Sequence, residues 1–266
     1  TPSSRCFHNH QFLFHLEAMP EPVHNRFVVL GAGQSAAEIV DYLHANYPNA
    51  EVHSVFARYG YSPADDSPYA NRIFDPEAVD QLHGADAAER RRLLDLHRST
   101  NYSVVDIELI NKLYATEYQE MVRGPRRLFM RRASEITSAV ETESGIELAV
   151  RSNLDGLTDT LACDALILAT GFTPAPLDDL LGELVPDSSV PRNVSRDYRL
   201  AVTEDVTGGI YLQGGTEQTH GLTSSLLSNV AVRAGEILAS VLSHQNRTGA
   251  LASLGAQDTY VTSEAR

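Results

Sequence analysis

An α/β fold is predicted by three features that follow one another in the sequence. The apolar run Phe27-Val28-Val29-Leu30 reads as a buried strand, the small-residue turn Gly31-Ala32-Gly33-Gln34-Ser35-Ala36 follows it directly, and the next residues place Ala36, Ile39, Val40 and Leu43 on one helical face. In a strand–turn–helix of this kind the first glycine permits the tight turn, the second lets a pyrophosphate approach the backbone, and the small third residue keeps the helix close to the sheet. The helix start offers N–H groups to a phosphate. The unit is therefore read as Rossmann-like, with Gly31, Gly33, Gln34 and Ser35 binding a dinucleotide and Ser35 also capping the helix.

The helix is expected to end near Tyr47-Pro48-Asn49, and a second strand, Val52 to Phe56, follows at once. At the end of that strand an NAD site usually carries Asp or Glu for the ribose 2′-hydroxyl, whereas this chain has Ala57-Arg58. A guanidinium suits a 2′-phosphate, so Arg58 points to NADP(H), the alternative being a solvated surface arginine.

With 266 residues, 42% of them hydrophobic and 21% charged, the chain has a real core and room for one large or two modest domains. The formal charge of −14 argues against nucleic acid or an anionic membrane as the main partner. Cys6 and Cys163 form no C-x-x-C pair, so neither a disulfide framework nor a metal site is suggested and a reducing cytoplasm is expected. No apolar run reaches membrane-spanning length, and the first residues lack a signal-peptide pattern.

Along the chain, Phe7, Phe12, Leu13, Phe14 and Leu16 are expected to pack on a domain whose main body is absent. The polar stretch from Tyr59 to Pro76 reads as a long loop, functional or disordered. Helical periodicity then covers 77–98 and 104–121, and short strands are expected over 128–130, 146–150 and 160–163. The basic residues between Arg123 and Arg132 read as a solvated turn. Asp164 to Phe172 is a buried strand ending in a small-residue turn, and Gly209 to Gly215 repeats that design. A last helix, 224–242, places Leu227, Val230, Ala231, Ala234, Leu238 and Val241 toward the core, and a polar tail, 246–266, is expected to be mobile.

Five blocks in this order, GAGQSAAE at 31–38, DDSPYANRIFDP at 65–76, TNYSVVD at 100–106, DALILATGF at 164–172 and GIYLQGGTEQTHGLTSSLLS at 209–228, resemble the microbial N-hydroxylating flavoprotein monooxygenases. These are the L-ornithine N5- and L-lysine N6-hydroxylases of siderophore and related biosynthesis. The Tyr-Ala-Asn form of the second block leans toward ornithine. The resemblance implies a two-dinucleotide flavoprotein, with an NADP-binding domain (26–167) inserted in an FAD-binding domain represented by 1–25 and 168–245. Family members carry their FAD turn upstream of the NADPH turn, and only the second is present here. The chain is thus expected to be a fragment lacking an N-terminal FAD-binding segment, inactive alone, from a parent that forms a homo-oligomer, by resemblance a tetramer.

The same resemblance implies FAD and NADP(H) as cofactors and a C4a-hydroperoxyflavin whose distal oxygen is attacked by the neutral side-chain amine of ornithine. A dry pocket matters more to such chemistry than an acid or base. By resemblance Asn71 hydrogen-bonds the amino-acid end of the substrate, Asn101 lies between the substrate amine and the NADP ribose, and Ser228 contacts the substrate near its reacting amine. Amides suit these tasks because they offer donors and an acceptor without a nearby pKa. Thr219, His220, Gly221 and Leu222 are expected against the flavin through their backbone, with His220 a packed histidine rather than a base. Phe172 stands where relatives often have Tyr, which removes a hydroxyl and keeps the ring. Lysine or a diamine as substrate, or a non-catalytic NADP-binding remnant, are the alternatives.

Overall fold

The computed structural model describes residues 3–19, 21–173, 177–184, 194–203, 206 and 208–261. The chain divides into two compact units, Thr1–Asp66 with Arg98–Thr173 and Ser67–His97 with Pro174–Arg266. Residues 67–97 thus group with 174–266, and residues 1–25 with 26–66 and 98–173.

The first unit carries β1 (Cys6–His8), β2 (Arg26–Leu30), β3 (Glu51–Val55), β4 (Leu128–Arg131), β5 (Ser134–Glu141), β6 (Ile146–Ser152), β7 (Thr158–Cys163) and β8 (Ala165–Leu168). Five of them form a parallel sheet in the order β1-β8-β2-β3-β4, and β5-β6-β7 form an antiparallel sheet. The centre of the parallel sheet is buried on both faces, which is why β2 is apolar without alternation. Phe27 and Val29 pack with Ile39, Val40, Leu43 and Leu113 of the helices Gln34–Asn46 and Ile107–Arg123. Val28, Val55 and Leu166 pack instead with Leu148, Val150 and Leu161 of the antiparallel sheet. The buried carboxylate of Asp164 accepts the backbone N–H groups of Val23 (2.6 Å), His24 (2.9 Å) and Arg26 (2.9 Å), which fixes the chain as it enters β2.

Several expectations are corrected here. Phe7, Phe12 and Leu16 are buried in the core of this unit against Phe27 and Val29, so the early segment packs where it stands, while Leu13 and Phe14 are exposed. β1 is too short, and β5 too polar and exposed, to be read from periodicity. The 77–98 pattern is two helices, Ala78–Gly84 and Ala87–Leu96, because Asp86 starts the second by accepting from Ala88 and Glu89 N–H. Val104 and Val105 precede their helix, whose cap is Asp106.

In the second unit Gly209 to Gly215 forms no strand. Among the described residues it contributes only an isolated bridge, Arg199 to Tyr211. The final helix starts at Val230, after two short 3₁₀ turns, Leu222–Ser225 and Leu227–Asn229, and its backbone continues to Val261, through most of the tail expected to be mobile. Residues 262–266, and Pro174 to Pro176 after Phe172, lie outside the described residues. The face expected to be core is exposed at Leu227, Ala231, Ala234 and Leu238, whereas Arg233 and Ser240 are buried.

Candidate functional site

In the first unit the glycine turn is built as its sequence requires. Gly31 sits at φ +147°, and a Cβ there would lie 2.2 Å from the carbonyl oxygen of Ala169, so the turns after β2 and β8 touch through a residue that must be glycine. Its N–H donates to Val55 O at 3.0 Å, and Ala169 N–H donates to Leu30 O at 2.8 Å. Gly33 caps the following helix with extended backbone and no side-chain cap bond. Ser35 lies inside the first helical turn and is exposed, so the capping expected of it falls to Gly33.

A second segment stands beside this turn. A Cβ on Gly33 would meet Ser103 Cα at 3.7 Å, and Arg58 Nη1 donates to Ser103 O at 2.7 Å. The Gln34 carboxamide accepts Asp106 N–H at 2.8 Å and donates to Glu38 Oε1 at 2.9 Å. Arg58 and Gln34, expected to bind NADP(H), thus also hold the two ends of the Ser103–Asp106 stretch. Asn101, exposed, lies just before it on a turn closed by Tyr102 N–H to Arg98 O at 2.8 Å.

In the second unit Asn71 is exposed on the 3₁₀ turn Ala70–Phe74, and Ser228 is exposed on the turn Leu227–Asn229. Their two turns are tied together by residues that sequence reasoning passed over. Thr223 Oγ1 donates to Ile73 O at 2.9 Å, and Asn229 Nδ2 donates to Phe74 O at 3.0 Å. Arg233, 3% exposed, donates to Thr223 O at 2.8 Å, Leu226 O at 3.1 Å and Gln213 Oε1 at 3.4 Å. Nothing local in the sequence marks these residues except an arginine between the apolar residues Val230, Ala231, Val232 and Ala234.

Thr219, His220 and Leu222 direct their side chains inward. His220 is fully buried, stacks on Tyr198 at 4.4 Å, and donates through Nε2 to Ser195 O (3.1 Å) and Arg196 O (3.2 Å), so Nδ1 accepts the Thr219 hydroxyl at 2.7 Å. Burial, the largest cause, lowers its pKa to about 4 and keeps it neutral. It is a packed histidine, as expected, and the turn can meet a ligand only through its backbone. Gly214, Gly215 and Gly221 run this stretch through positive φ, and a Cβ on Gly221 would strike Leu82 Cδ1 at 2.2 Å.

In the basic run 123–132, Arg123 and Arg132 are exposed, and the run also has partners within its own unit: Arg126 and Arg132 pair with Glu117 at 2.7 and 3.1 Å, and Arg127 donates to carbonyls of Tyr47 and Ala50. An open cleft of about 630 Å³ in the second unit is bordered by Arg196, which pairs with Asp80 and Glu236, and by none of the expected site residues. Among the described residues no group of three metal-ligating side chains converges, and no helix is long and apolar enough to cross a membrane.

A parallel sheet whose β2 leads through the Gly31–Gly33 turn into a helix, with β3 beside it, defines a Rossmann-like α/β fold. The chain belongs to the L-lysine 6-monooxygenase/L-ornithine 5-monooxygenase family, whose model matches residues 1–174. It is 37% identical over 251 residues to an L-ornithine N(5)-monooxygenase of Pseudomonas aeruginosa, covering 90% of this chain and 54% of that one. A solved ornithine N-hydroxylase of Kutzneria sp. 744, with reduced FAD, NADP+ and L-ornithine, superposes with TM-score 0.86 at 42% identity, over 92% of this chain and 60% of that one. The L-lysine 6-monooxygenase of Pseudomonas syringae does so with TM-score 0.75 at 33% identity, over 91% and 59%. The chain spans about half the length of the curated relatives it matches.

Proposed function

We propose that this chain works as part of an FAD- and NADPH-dependent monooxygenase that hydroxylates the side-chain amine of L-ornithine, in siderophore or related biosynthesis. The observation that carries the reading is the 42% identity, over nearly the whole chain, to an ornithine N-hydroxylase solved with reduced FAD, NADP+ and L-ornithine. The fold and the residues fit both cofactors. Gly31 lets the turn pack on Ala169, Gly33 caps the helix without a side chain so that its first N–H groups suit a diphosphate, and Arg58 suits a 2′-phosphate. The 214–222 turn, with three glycines at positive φ, suits close backbone approach by a flavin.

On this reading the first unit is the NADP-binding domain, and the second is the part of the FAD and substrate domain that this sequence includes. A further FAD-binding segment belongs to the same protein, which is cytoplasmic and a homo-oligomer. When bound, the flavin supplies activated oxygen and NADPH the electrons. The chain's own residues supply placement. Asn71 holds the amino-acid end of ornithine, Asn101 sits between substrate and NADP ribose, and Ser228 orients the amine nitrogen. None of the three can take up or release a proton near neutral pH, so they orient an uncharged amine and cannot themselves deprotonate a charged one.

The test is hydroxylamine formation by the protein carrying its FAD-binding segment, with NADPH and a panel of amines. Product with ornithine and not with lysine or a diamine supports the proposal. Consumption of NADPH with only hydrogen peroxide formed, for every amine, overturns it.

A further inference from the structure

We propose that Arg233 is a positioning residue for the substrate subsite, setting the mutual placement of the turns that carry Asn71 and Ser228. The proposal rests on the function argued above and adds a residue that no other feature of the site assigns. Arg233 is 3% exposed, and its three hydrogen-bond acceptors, Thr223 O, Leu226 O and Gln213 Oε1, are neutral oxygens. Burying a cation on dipoles alone is costly, and a side chain needed only for packing at this helical position would be apolar.

What the guanidinium holds accounts for the cost. One nitrogen binds Thr223 O and another binds Leu226 O, the two ends of the bend leading into Ser228. Thr223 reaches Ile73 O through its hydroxyl, and Asn229, immediately after Ser228, reaches Phe74 O. Ser228 is therefore bracketed by a residue bound to Arg233 on one side and by one bound to the Asn71 turn on the other. A planar fork reaches the two carbonyls from two separate nitrogens in fixed directions, whereas a lysine would have to meet both from a single nitrogen on a differently shaped stem. Arg233 touches neither Ser228 nor Asn71 in any of these bonds, so it acts through the backbone that carries them. Displacements on the order of 1 Å at such residues are enough to cost about a hundredfold in turnover.

The experiment compares wild type, Arg233→Lys and Arg233→Met in the FAD-loaded protein that includes its N-terminal FAD-binding segment. Two readouts are taken. Amide hydrogen exchange is expected to rise at 70–74 and 222–229 in both variants and to stay as in wild type at 26–55. KM for ornithine is expected to rise about tenfold or more, with a larger share of NADPH electrons lost to hydrogen peroxide and a smaller change in KM for NADPH. Unchanged exchange at both turns, full function in Arg233→Lys, or a rise in exchange spread evenly over the chain would overturn the proposal. If wild type hydroxylates no amine, the functional reading fails instead, and the exchange data alone then decide whether Arg233 orders the two turns.

Discussion

Gly31 and Ala169 are in contact in a way that admits no side chain: a Cβ on Gly31 would lie 2.2 Å from the Ala169 carbonyl oxygen. The turn that opens the dinucleotide site and the Ala-Thr-Gly turn after β8 are thus one packed structure. Gly31→Ala adds both this overlap and a backbone at φ +147° that L side chains rarely adopt. A loss of about 3 kcal/mol or more in stability is expected, together with loss of NADPH affinity. Chemical denaturation followed by far-UV circular dichroism, which suits a chain without tryptophan, measures the first, and titration with NADP+ the second.

Arg58 is expected to discriminate between nicotinamide cofactors. A guanidinium bound to a 2′-phosphate is worth about 1.5–3 kcal/mol, so Arg58→Ala should weaken NADPH roughly tenfold to a hundredfold and leave NADH nearly unchanged. Because Arg58 also holds Ser103 O at 2.7 Å, the same variant should loosen the 98–103 turn and so the placement of Asn101. Steady-state KM for both cofactors and the fraction of electrons lost to hydrogen peroxide check the two effects separately. Equal losses with NADPH and NADH would leave only the structural role.

How much of this was readable beforehand follows from what each residue needs from its neighbours. The strand, turn, helix and second strand from Phe27 to Phe56 are a local unit, and their periodicity and glycines are visible in any window of the sequence. Phe7 and Phe12 were equally visible as apolar, but their partners Phe27 and Val29 come from a sheet whose order depends on β8, more than 130 residues later. The last helix shows the opposite error. The apolar period read from sequence marks a face that is exposed at Leu238 and, in the turn before the helix, at Leu227, while the polar Arg233 and Ser240 are buried. Asn71, Asn101 and Ser228 stood out only because the surrounding blocks resemble a family, whereas Thr223, Asn229 and Arg233, which hold two of their turns, bond to carbonyls that no pattern of side chains reveals.

Asp164 is expected to be a structural residue inside a block that otherwise resembles a functional motif. Its carboxylate accepts three backbone N–H groups and is fully buried. Asp164→Asn keeps the volume and replaces one accepting oxygen by a donor facing an N–H group. A loss of about 2–4 kcal/mol is expected, read as a lower thermal midpoint, with cofactor affinity at a permissive temperature unchanged.

Acid should destabilise the chain through two buried histidines before most carboxylates titrate. His53 is 2% exposed, stacks on Phe129 at 4.4 Å and hydrogen-bonds Glu51 Oε2 at 3.2 Å; burial, opposed by the Glu51 bond, lowers its pKa to about 4. His220 in the second unit is lowered to about 4 by burial as well. In both cases the unfolded chain binds a proton that the folded chain does not, near the ordinary histidine value of about 6.5. Their stabilising contribution is therefore complete above that value, falls as pH drops through the window from about 6.5 to 4, and is gone below it, by at most roughly 3 kcal/mol for each group. Denaturation midpoints should fall between pH 7 and pH 4.5. His53→Gln, which keeps a donor toward Glu51 and has no imidazole to protonate, should lower the midpoint at pH 7 while flattening the slope. A slope identical to wild type would show that His53 is not the group that titrates.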